Sequence, residues 1–202
     1  MTASYKGHLE VVTALLSSKA AVNQAQNAGA TSLYIASQEG HLEVVTALLS
    51  SKAAVNQAKN DDSTPLYIAA KHGHLEVAIT LLEANASVNQ AMNDYDSTLL
   101  YIASAQGHLE VVTTLLTANA SVNQGMNNGA TPLYAASHQG HLEVVTTLLT
   151  ANASVNQSDN EGFTPLYAAS QKGHNEIVEV LRRAGGDAVI RSTNNSNVCL
   201  IM

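Results

Sequence analysis

The chain of 202 residues carries 12% charged and 4% aromatic residues and no tryptophan, whereas about 25% of the residues in a typical soluble domain are charged. Its formal net charge is −7 and no basic stripe is present, which disfavours nucleic acid and anionic membrane surfaces as partners. Cys199 is the single cysteine, which excludes an intramolecular disulfide framework.

The N-terminal segment has no apolar core of the kind that a secretory signal peptide contains. No apolar run approaches the roughly 20 residues that a membrane-spanning helix needs. Thr2 excludes N-myristoylation. We therefore expect a cytoplasmic protein.

Three short motifs recur at a nearly constant spacing of 33 or 34 residues, which is the signature of a repeat protein. A Gly-His dipeptide begins at Gly7, Gly40, Gly73, Gly107, Gly140 and Gly173. A Thr-X-Leu-Tyr motif begins at Thr31, Thr64, Thr98, Thr131 and Thr164, and a Val-Asn-Gln motif ends at Gln24, Gln57, Gln90, Gln124 and Gln157. The segments 7–25 and 40–58 are identical.

Each repeat predicts two helices. The motif threonine is a good N-cap, and a following proline suits the first helical position. The segment LYIASQE then leads to Gly40, which can adopt the positive φ that ends a helix. The segment HLEVVTALLSS predicts the second helix, with Leu42, Val45, Leu48 and Leu49 on one face.

The second helix should end at a residue in the left-handed conformation. Asn85, Asn119, Asn152 and Gly185 stand there, together with Lys19 and Lys52, which suit it less well because of their Cβ atoms. The segments 27–30 and 127–130 have the chemistry of tight turns between repeats. The one additional residue of the 34-residue spacing falls in the loop 93–97, where it leaves the helices in register.

The pattern D-x-x-G-x-T-P-L, then A-A-x-x-G-H-x-E-V-V-x-x-L-L and A-x-V-N, resembles the ankyrin repeat over about residues 1 to 187. The segment 159–166 (DNEGFTPL) matches the opening of that repeat at every fixed position. One departure is systematic, because the family usually has histidine at the positions of Tyr34, Tyr67, Tyr101, Tyr134 and Tyr167. The resemblance implies an all-α solenoid of helix-turn-helix units joined by β-hairpin-like turns.

Aligned on these motifs, the chain divides into a truncated N-terminal repeat (1–25), four full repeats (26–58, 59–91, 92–125 and 126–158), a capping repeat (159–187) and a flexible tail (188–202). In the capping repeat, Asn175 and Arg182 replace the leucines of inner repeats, which predicts a polar terminal face. In the first repeat Met1 aligns with Tyr34, so this half-repeat either frays or continues a longer array.

The residues that could suggest an active site recur once per repeat. Six histidines lie beside the turn glycine, about 10 Å apart, which is too far to share a metal ion: His8, His41, His74, His108, His141 and His174. We expect these rings to bond across the helix–helix turn, the tyrosine hydroxyls to bond to turn backbone, and the asparagines of Val-Asn-Gln to serve the turns. Glutamates recur likewise, and no catalytic triad or phosphate-binding loop is present. The sequence predicts no enzyme, no metal site and no cofactor.

The resemblance implies that a protein partner binds the turn tips and the exposed ends of the first helices, which line a concave groove. Carried over by position, the groove residues are Asn27, Ala28, Gln38, Glu39, Asn60, Asp61, Lys71, His72, Asp94, Tyr95, Gln106, Asn128, His138, Gln139, Asn160, Glu161, Phe163, Gln171 and Lys172, with Ala30, Ser63, Ser97, Ala105 and Ala130 beside them. Tyr95 and Phe163 are the expected anchors, since aromatic side chains dominate interface energetics. Phe163 has the alternative of packing against its own turn.

The last four residues, Cys199-Leu200-Ile201-Met202, resemble a C-a-a-X prenylation signal of the farnesyl type. One lipid chain gives only marginal, reversible membrane binding. The first hypothesis is therefore a monomeric, farnesylated scaffold that brings a protein partner to a membrane. The second is a wholly soluble binding module or inhibitor with an unmodified tail, and a third, an adaptor for a larger machine, lacks a visible second recruiting motif.

Overall fold

The structure is a computed structural model that describes residues 1–26, 28–90 and 97–187. The chain forms two compact units, residues 1–94 and 95–202, which we call unit 1 and unit 2. Within the described residues there are twelve helices and no strands, as the all-α prediction requires. Each unit is built from helical hairpins stacked side by side.

The helices alternate between a first and a second type along each unit. In unit 1 they are α1 (Thr2–Tyr5), α2 (Leu9–Ser17), α3 (Ser32–Gln38), α4 (Leu42–Ser50), α5 (Pro65–His72) and α6 (Leu75–Glu83). In unit 2 they are α7 (Leu99–Gln106), α8 (Leu109–Thr117), α9 (Pro132–Gln139), α10 (Leu142–Thr150), α11 (Pro165–Lys172) and α12 (Asn175–Arg183). First helices stack on first helices, and second helices on second helices, within each unit.

The first helices from α3 onward begin as the sequence predicts. In α9 the hydroxyl of Thr131 accepts a hydrogen bond from the backbone N–H of Tyr134, at 3.1 Å, and Pro132 occupies the first turn. The same bond forms at Thr31, Thr64, Thr98 and Thr164. A side-chain oxygen thus satisfies one of the backbone donors that every helix N-terminus leaves free.

Small aliphatic side chains fill the space between the helices. In α4, Val44, Val45 and Leu48 are buried, whereas Leu42 and Leu49 are only partly covered. In the first helices the buried positions are mostly alanine and leucine, which lets the helices pack in thin layers. The second helices end where the sequence predicts. The residues predicted to be left-handed there all have positive φ: Lys19, Lys52, Asn85, Asn119, Asn152 and Gly185.

The last helix, α12, presents the polar face expected of a terminal repeat. Asn175, Glu179, Arg182 and Arg183 are exposed, and Arg182 lies 3.8 Å from the carboxylate of Glu179. Across the part of the chain that is described, no helix has the length and apolarity needed to cross a membrane.

Candidate partner-binding face

The histidine column connects neighbouring repeats. His41 Nε2 lies 2.9 Å from the carbonyl oxygen of Tyr5, and His74 Nε2 lies 2.9 Å from that of Gln38. His141 contacts Ala105 O at 3.1 Å in unit 2. Since a carbonyl can only accept, each Nε2 donates. The sequence predicts that these rings bond across the helix–helix turn; His41, His74, His141 and His174 instead bond to a carbonyl in the first helix of the preceding repeat.

The asparagine column also joins one repeat to the next. Asn56 Oδ1 accepts a 2.8 Å hydrogen bond from the backbone N–H of Ser87. Asn123 does the same for Ser154 at 2.7 Å. These side chains satisfy backbone groups of the loop that follows each second helix, as the sequence predicts. The histidine and asparagine columns therefore hold the stack together rather than recognise a partner.

The turns between repeats have the same hydrogen-bond pattern in both units. In unit 1, Lys59 N–H donates to Ser63 O at 3.0 Å, and Asp62 N–H donates to Lys59 O at 3.0 Å. In unit 2, Asp159 N–H donates to Phe163 O and Gly162 N–H to Asp159 O, both at 3.0 Å. The two turns thus have the same backbone conformation and differ in their side chains.

Four of the five residues that precede the capping threonines are buried and offer no binding surface, and Phe163 is the partly exposed fifth. Ala30, Ser63 and Ala130 are 6%, 3% and 2% exposed, and Ser97 is also buried. At the first of these positions Ala30 packs against Tyr34 and Ile68. We correct the assignment of the four buried residues to the groove.

The other predicted residues lie at the surface of unit 1 or are partly covered. Ala28, Asn60, Lys71 and His72 are exposed, while Gln38, Glu39 and Asp61 are partly buried. The amide of Gln38 donates to the carboxylate of Glu39 at 2.8 Å. These residues lie at turn tips and at the ends of α3 and α5, and we call this surface the turn face of unit 1.

The turn face of unit 2 is formed in the same way by the turn tips and the ends of α7, α9 and α11. Its exposed residues are Gln106, Asn128, Gln139, Asn160, Glu161, Gln171 and Lys172, and the partly buried ones are Ala105, His138 and Phe163. Asn160 connects two adjacent turns, since its amide donates to Asn127 O at 2.9 Å. Asn27, Asp94, Tyr95 and Cys199 lie outside the described residues.

Lys59 lies at the inner edge of the turn face of unit 1, between Tyr34 and Asp61. Its ammonium lies 5.2 Å from the centre of the Tyr34 ring and 3.0 Å from Asp61 Oδ2. Asp61 also accepts hydrogen bonds from the hydroxyl and backbone N–H of Ser63. Partial burial raises the pKa of Asp61, but the bonds from Ser63 and Lys59 outweigh it and lower the pKa to about 2. The cation, the ring and the carboxylate therefore form a closed cluster.

At the equivalent place in unit 2 an aspartate replaces the lysine. Asp159 Oδ1 accepts the backbone N–H groups of Glu161 at 3.0 Å and Phe163 at 2.9 Å. Burial, the negative charges of Asp159 and Glu161, and a hydrogen bond with Asp159 raise the pKa of Tyr134 to about 12. The Phe163 ring stacks on that of Tyr167, with centroids 4.7 Å apart.

The tyrosine hydroxyls at these two places meet side chains of the following turn, not its backbone as predicted. The hydroxyls of Tyr34 and Ser63 are 3.3 Å apart, and the nearby carboxylate of Asp159 contributes to the raised pKa of Tyr134. Sequence reasoning did not single out Lys59 or Asp159. The signal was present, because Gln26, Lys59, Met126 and Asp159 occupy one column whose chemistry changes from repeat to repeat.

A basic group lies beside this edge in unit 2. The ring of His138 stacks on Tyr134 with centroids 6.2 Å apart. Burial, together with the positive charge of Lys172 and the neighbouring His174, lowers the pKa of His138. Among the residues that the structure describes, no group of three or more His, Cys, Asp or Glu side chains could hold a metal ion.

A family model described as "Ankyrin repeats (3 copies)" matches residues 1–92, 52–126 and 99–192. No curated protein matches the chain.

Proposed function

Because the chain belongs to the ankyrin-repeat family, whose members are generally binding modules, we propose that it is a scaffold that binds a protein partner on its turn faces. One observation carries this proposal. The residues that join repeat to repeat are nearly constant, whereas the exposed or partly exposed ends of the first helices change from Gln38-Glu39 to Lys71-His72, His138-Gln139 and Gln171-Lys172. No two of these helix ends carry the same pair of residues, whereas long stretches of the second helices are identical between repeats, and variation concentrated in this way is typical of recognition.

The constant contacts also explain how such a surface could bind. Helix caps, histidine bonds and asparagine bonds fix the positions of the helix ends before a partner arrives. A surface that is already ordered loses little conformational entropy on binding. The exposed side chains are mostly small, polar and uncharged, so we expect modest affinity, concentrated at the few aromatic and charged positions.

The experiment compares two variants of unit 2 that carry the same added charges. The first, Gln139→Arg with Gln171→Glu, changes exposed residues of the turn face. The second, Thr146→Arg with Thr150→Glu, changes exposed residues of α10. Proteins captured from cells by the wild type and the α10 variant, but lost by the turn-face variant, would support the proposal. Capture that survives the turn-face changes and fails with the α10 changes would contradict it.

We also propose the finer hypothesis that Cys199 is farnesylated and that a monomeric, cytoplasmic scaffold thereby reaches membranes reversibly. The support is the order Cys199-Leu200-Ile201-Met202 alone, and the hypothesis requires Met202 to be the C-terminal residue in the cell. In the reaction the cysteine thiolate would form a thioether with the allylic carbon, and diphosphate would leave. The alternative is a soluble binding module with an unmodified tail.

Intact mass distinguishes the two hypotheses. After expression in a cell that contains a farnesyltransferase, a farnesyl adduct that is absent from Cys199→Ser would support the lipid anchor. An unmodified wild-type mass would favour the soluble module. Fractionation of the same two proteins then measures whether the adduct shifts the protein toward membranes, as a single, weak anchor should.

A further inference from the structure

We propose that unit 2 binds a lysine or arginine side chain of its protein partner at an acidic–aromatic patch formed by Tyr134, Asp159, Glu161 and Phe163. This inference rests on the proposed function and names the chemistry of the partner at one place. It is drawn from the comparison of two turns that have the same backbone and different side chains.

Unit 1 shows what occupies this place when the chain supplies the occupant itself. The ammonium of Lys59 lies between the Tyr34 ring, at 5.2 Å, and Asp61 Oδ2, at 3.0 Å. An ammonium over an aromatic face is attracted by the negative face of the ring, and the carboxylate adds charge attraction. The equivalent tyrosine in unit 2 is Tyr134, and the equivalent of Lys59 is Asp159.

Unit 2 keeps the ring and the acid but has no lysine in that column. The backbone-capping role that Asp61 performs in unit 1 belongs to Asp159, which accepts the N–H groups of Glu161 and Phe163. Glu161, which replaces Asp61, is therefore left exposed. Within the described residues neither Asp159 nor Glu161 forms an ion pair, and Lys172 pairs with neither. The carboxylate of Asp159 is held by backbone N–H groups, and His138 stacks on one face of the Tyr134 ring, so the exposed carboxylate of Glu161 is the group without a cation like Lys59.

The aromatic surface of the patch is larger in unit 2. Phe163 replaces the buried Ser63, and its partly exposed ring stacks on Tyr167 at 4.7 Å with an interplanar angle of 9°. A flat aromatic pair near the exposed carboxylate of Glu161 fits a guanidinium or an ammonium with an aliphatic stem. A neutral side chain could donate a hydrogen bond to Glu161 but would gain no charge attraction, and an acidic side chain would be repelled.

The test is an NMR titration of the full chain with the peptide acetyl-Gly-Gly-Arg-Gly-Gly-amide, and with the same peptide carrying neutral citrulline for arginine. We expect the arginine peptide to shift the backbone amides of residues 159–163 and the citrulline peptide to bind at least about tenfold more weakly. The turn 59–63 of the same molecule is the internal control, because Lys59 already fills it. Equal binding of the two peptides, or shifts confined to other surfaces, would overturn the proposal.

Two variants test whether the lysine decides which turn binds the peptide. Asp159→Lys with Glu161→Asp and Phe163→Ser gives unit 2 the residues of unit 1 at these positions, and should remove the shifts. Lys59→Gln opens the cluster of unit 1, and should make the turn 59–63 respond to the arginine peptide. If neither variant changes the response, the proposal is wrong. If the peptide does not bind but the turn-face variant of unit 2 still loses its captured proteins, the scaffold function stands and only this inference fails.

Discussion

At the scale of single residues, the Gly-His dipeptide has two separate reasons to contain glycine. The glycine takes a positive φ, which is 88° at Gly140 and 74° at Gly173. At Gly140 the imidazole of the next repeat also lies against it, so that an added Cβ would be 2.7 Å from His174 Cε1. At Gly173 nothing lies within 4 Å of that position. Both glycines are therefore needed for the positive φ, but only Gly140 is also needed for close packing.

We predict that Gly140→Ala destabilises unit 2 more than Gly173→Ala. Both variants place a Cβ in the left-handed region, at a cost of about 1–2 kcal/mol. Only Gly140→Ala also displaces the ring of His174, whose hydrogen bond to His138 O, 3.1 Å long, contributes about 1 kcal/mol. Urea unfolding followed by circular dichroism measures the difference. Equal losses in the two variants would show that the imidazole contact contributes nothing.

At the scale of elements, the first and second helices of a repeat begin in different ways. Each first helix from α3 onward starts at a threonine that accepts a backbone N–H, whereas the second helices start at a histidine without a side-chain cap. The second helices instead begin directly after the glycine turn and carry the larger buried valine and leucine side chains. The first helices bury alanine beside leucine and begin at a side-chain cap, so we expect the loss of that cap to be felt.

We predict that Thr131→Val destabilises the protein by about 1 kcal/mol, within the range measured for lost N-caps. Valine keeps the volume of this buried side chain but cannot accept from Tyr134 N–H, whose bond to Thr131 is 3.1 Å. Thr131→Ser keeps the oxygen and is the control. Thermal unfolding of both variants gives the comparison, and a serine variant as unstable as the valine variant would indicate that packing, not capping, is what matters.

Much of the element level could be predicted from the sequence because caps, turn glycines and left-handed positions depend on local chemistry. Thr64, Pro65 and Gly73 take the positions that their own stereochemistry favours. Contacts between repeats could not be predicted in the same way. That His74 bonds to Gln38 O, or that Lys59 lies over Tyr34, depends on the offset between neighbouring repeats, which no single repeat encodes.

The candidate site likewise contains residues that could be predicted from one repeat and residues that depend on contacts between repeats. Exposed positions such as Lys71 and Gln139 follow from counting within the repeat. The buried Ala30 and Ala130 were assigned wrongly, because whether the residue before the threonine faces outward is decided by the neighbouring turn and tyrosine. The acidic–aromatic patch could not be predicted from one repeat, because it depends on which side chains of a turn lie beside the tyrosine of the preceding repeat.

At the scale of the molecule, the burial of a side chain depends on the position of its repeat in the stack as well as on the sequence of that repeat. The segments 7–25 and 40–58 are identical, yet Val11 and Leu15 are 49% and 48% exposed while Val44 and Leu48 are 1% and 2% exposed. The second copy belongs to a complete repeat with both helices, α3 and α4, whereas only α1 is described before the first copy. Leu15 lines an open pocket of about 300 Å³, together with Met1 and Val12 and with Leu48 of the next repeat.

This identity permits a test in which local sequence is held constant. We predict that Leu48→Ala destabilises unit 1 by about 2–5 kcal/mol, because it leaves a cavity between packed repeats. Leu15→Ala should cost about 1 kcal/mol or less, since half of that side chain is already in water. The local helix sequence is the same around both residues. The change in helix propensity is therefore equal in the two variants and does not contribute to the difference between them. Urea midpoints that fall equally in the two variants would mean that the first repeat is covered in solution, and that the exposure of Leu15 is not its state in the working protein.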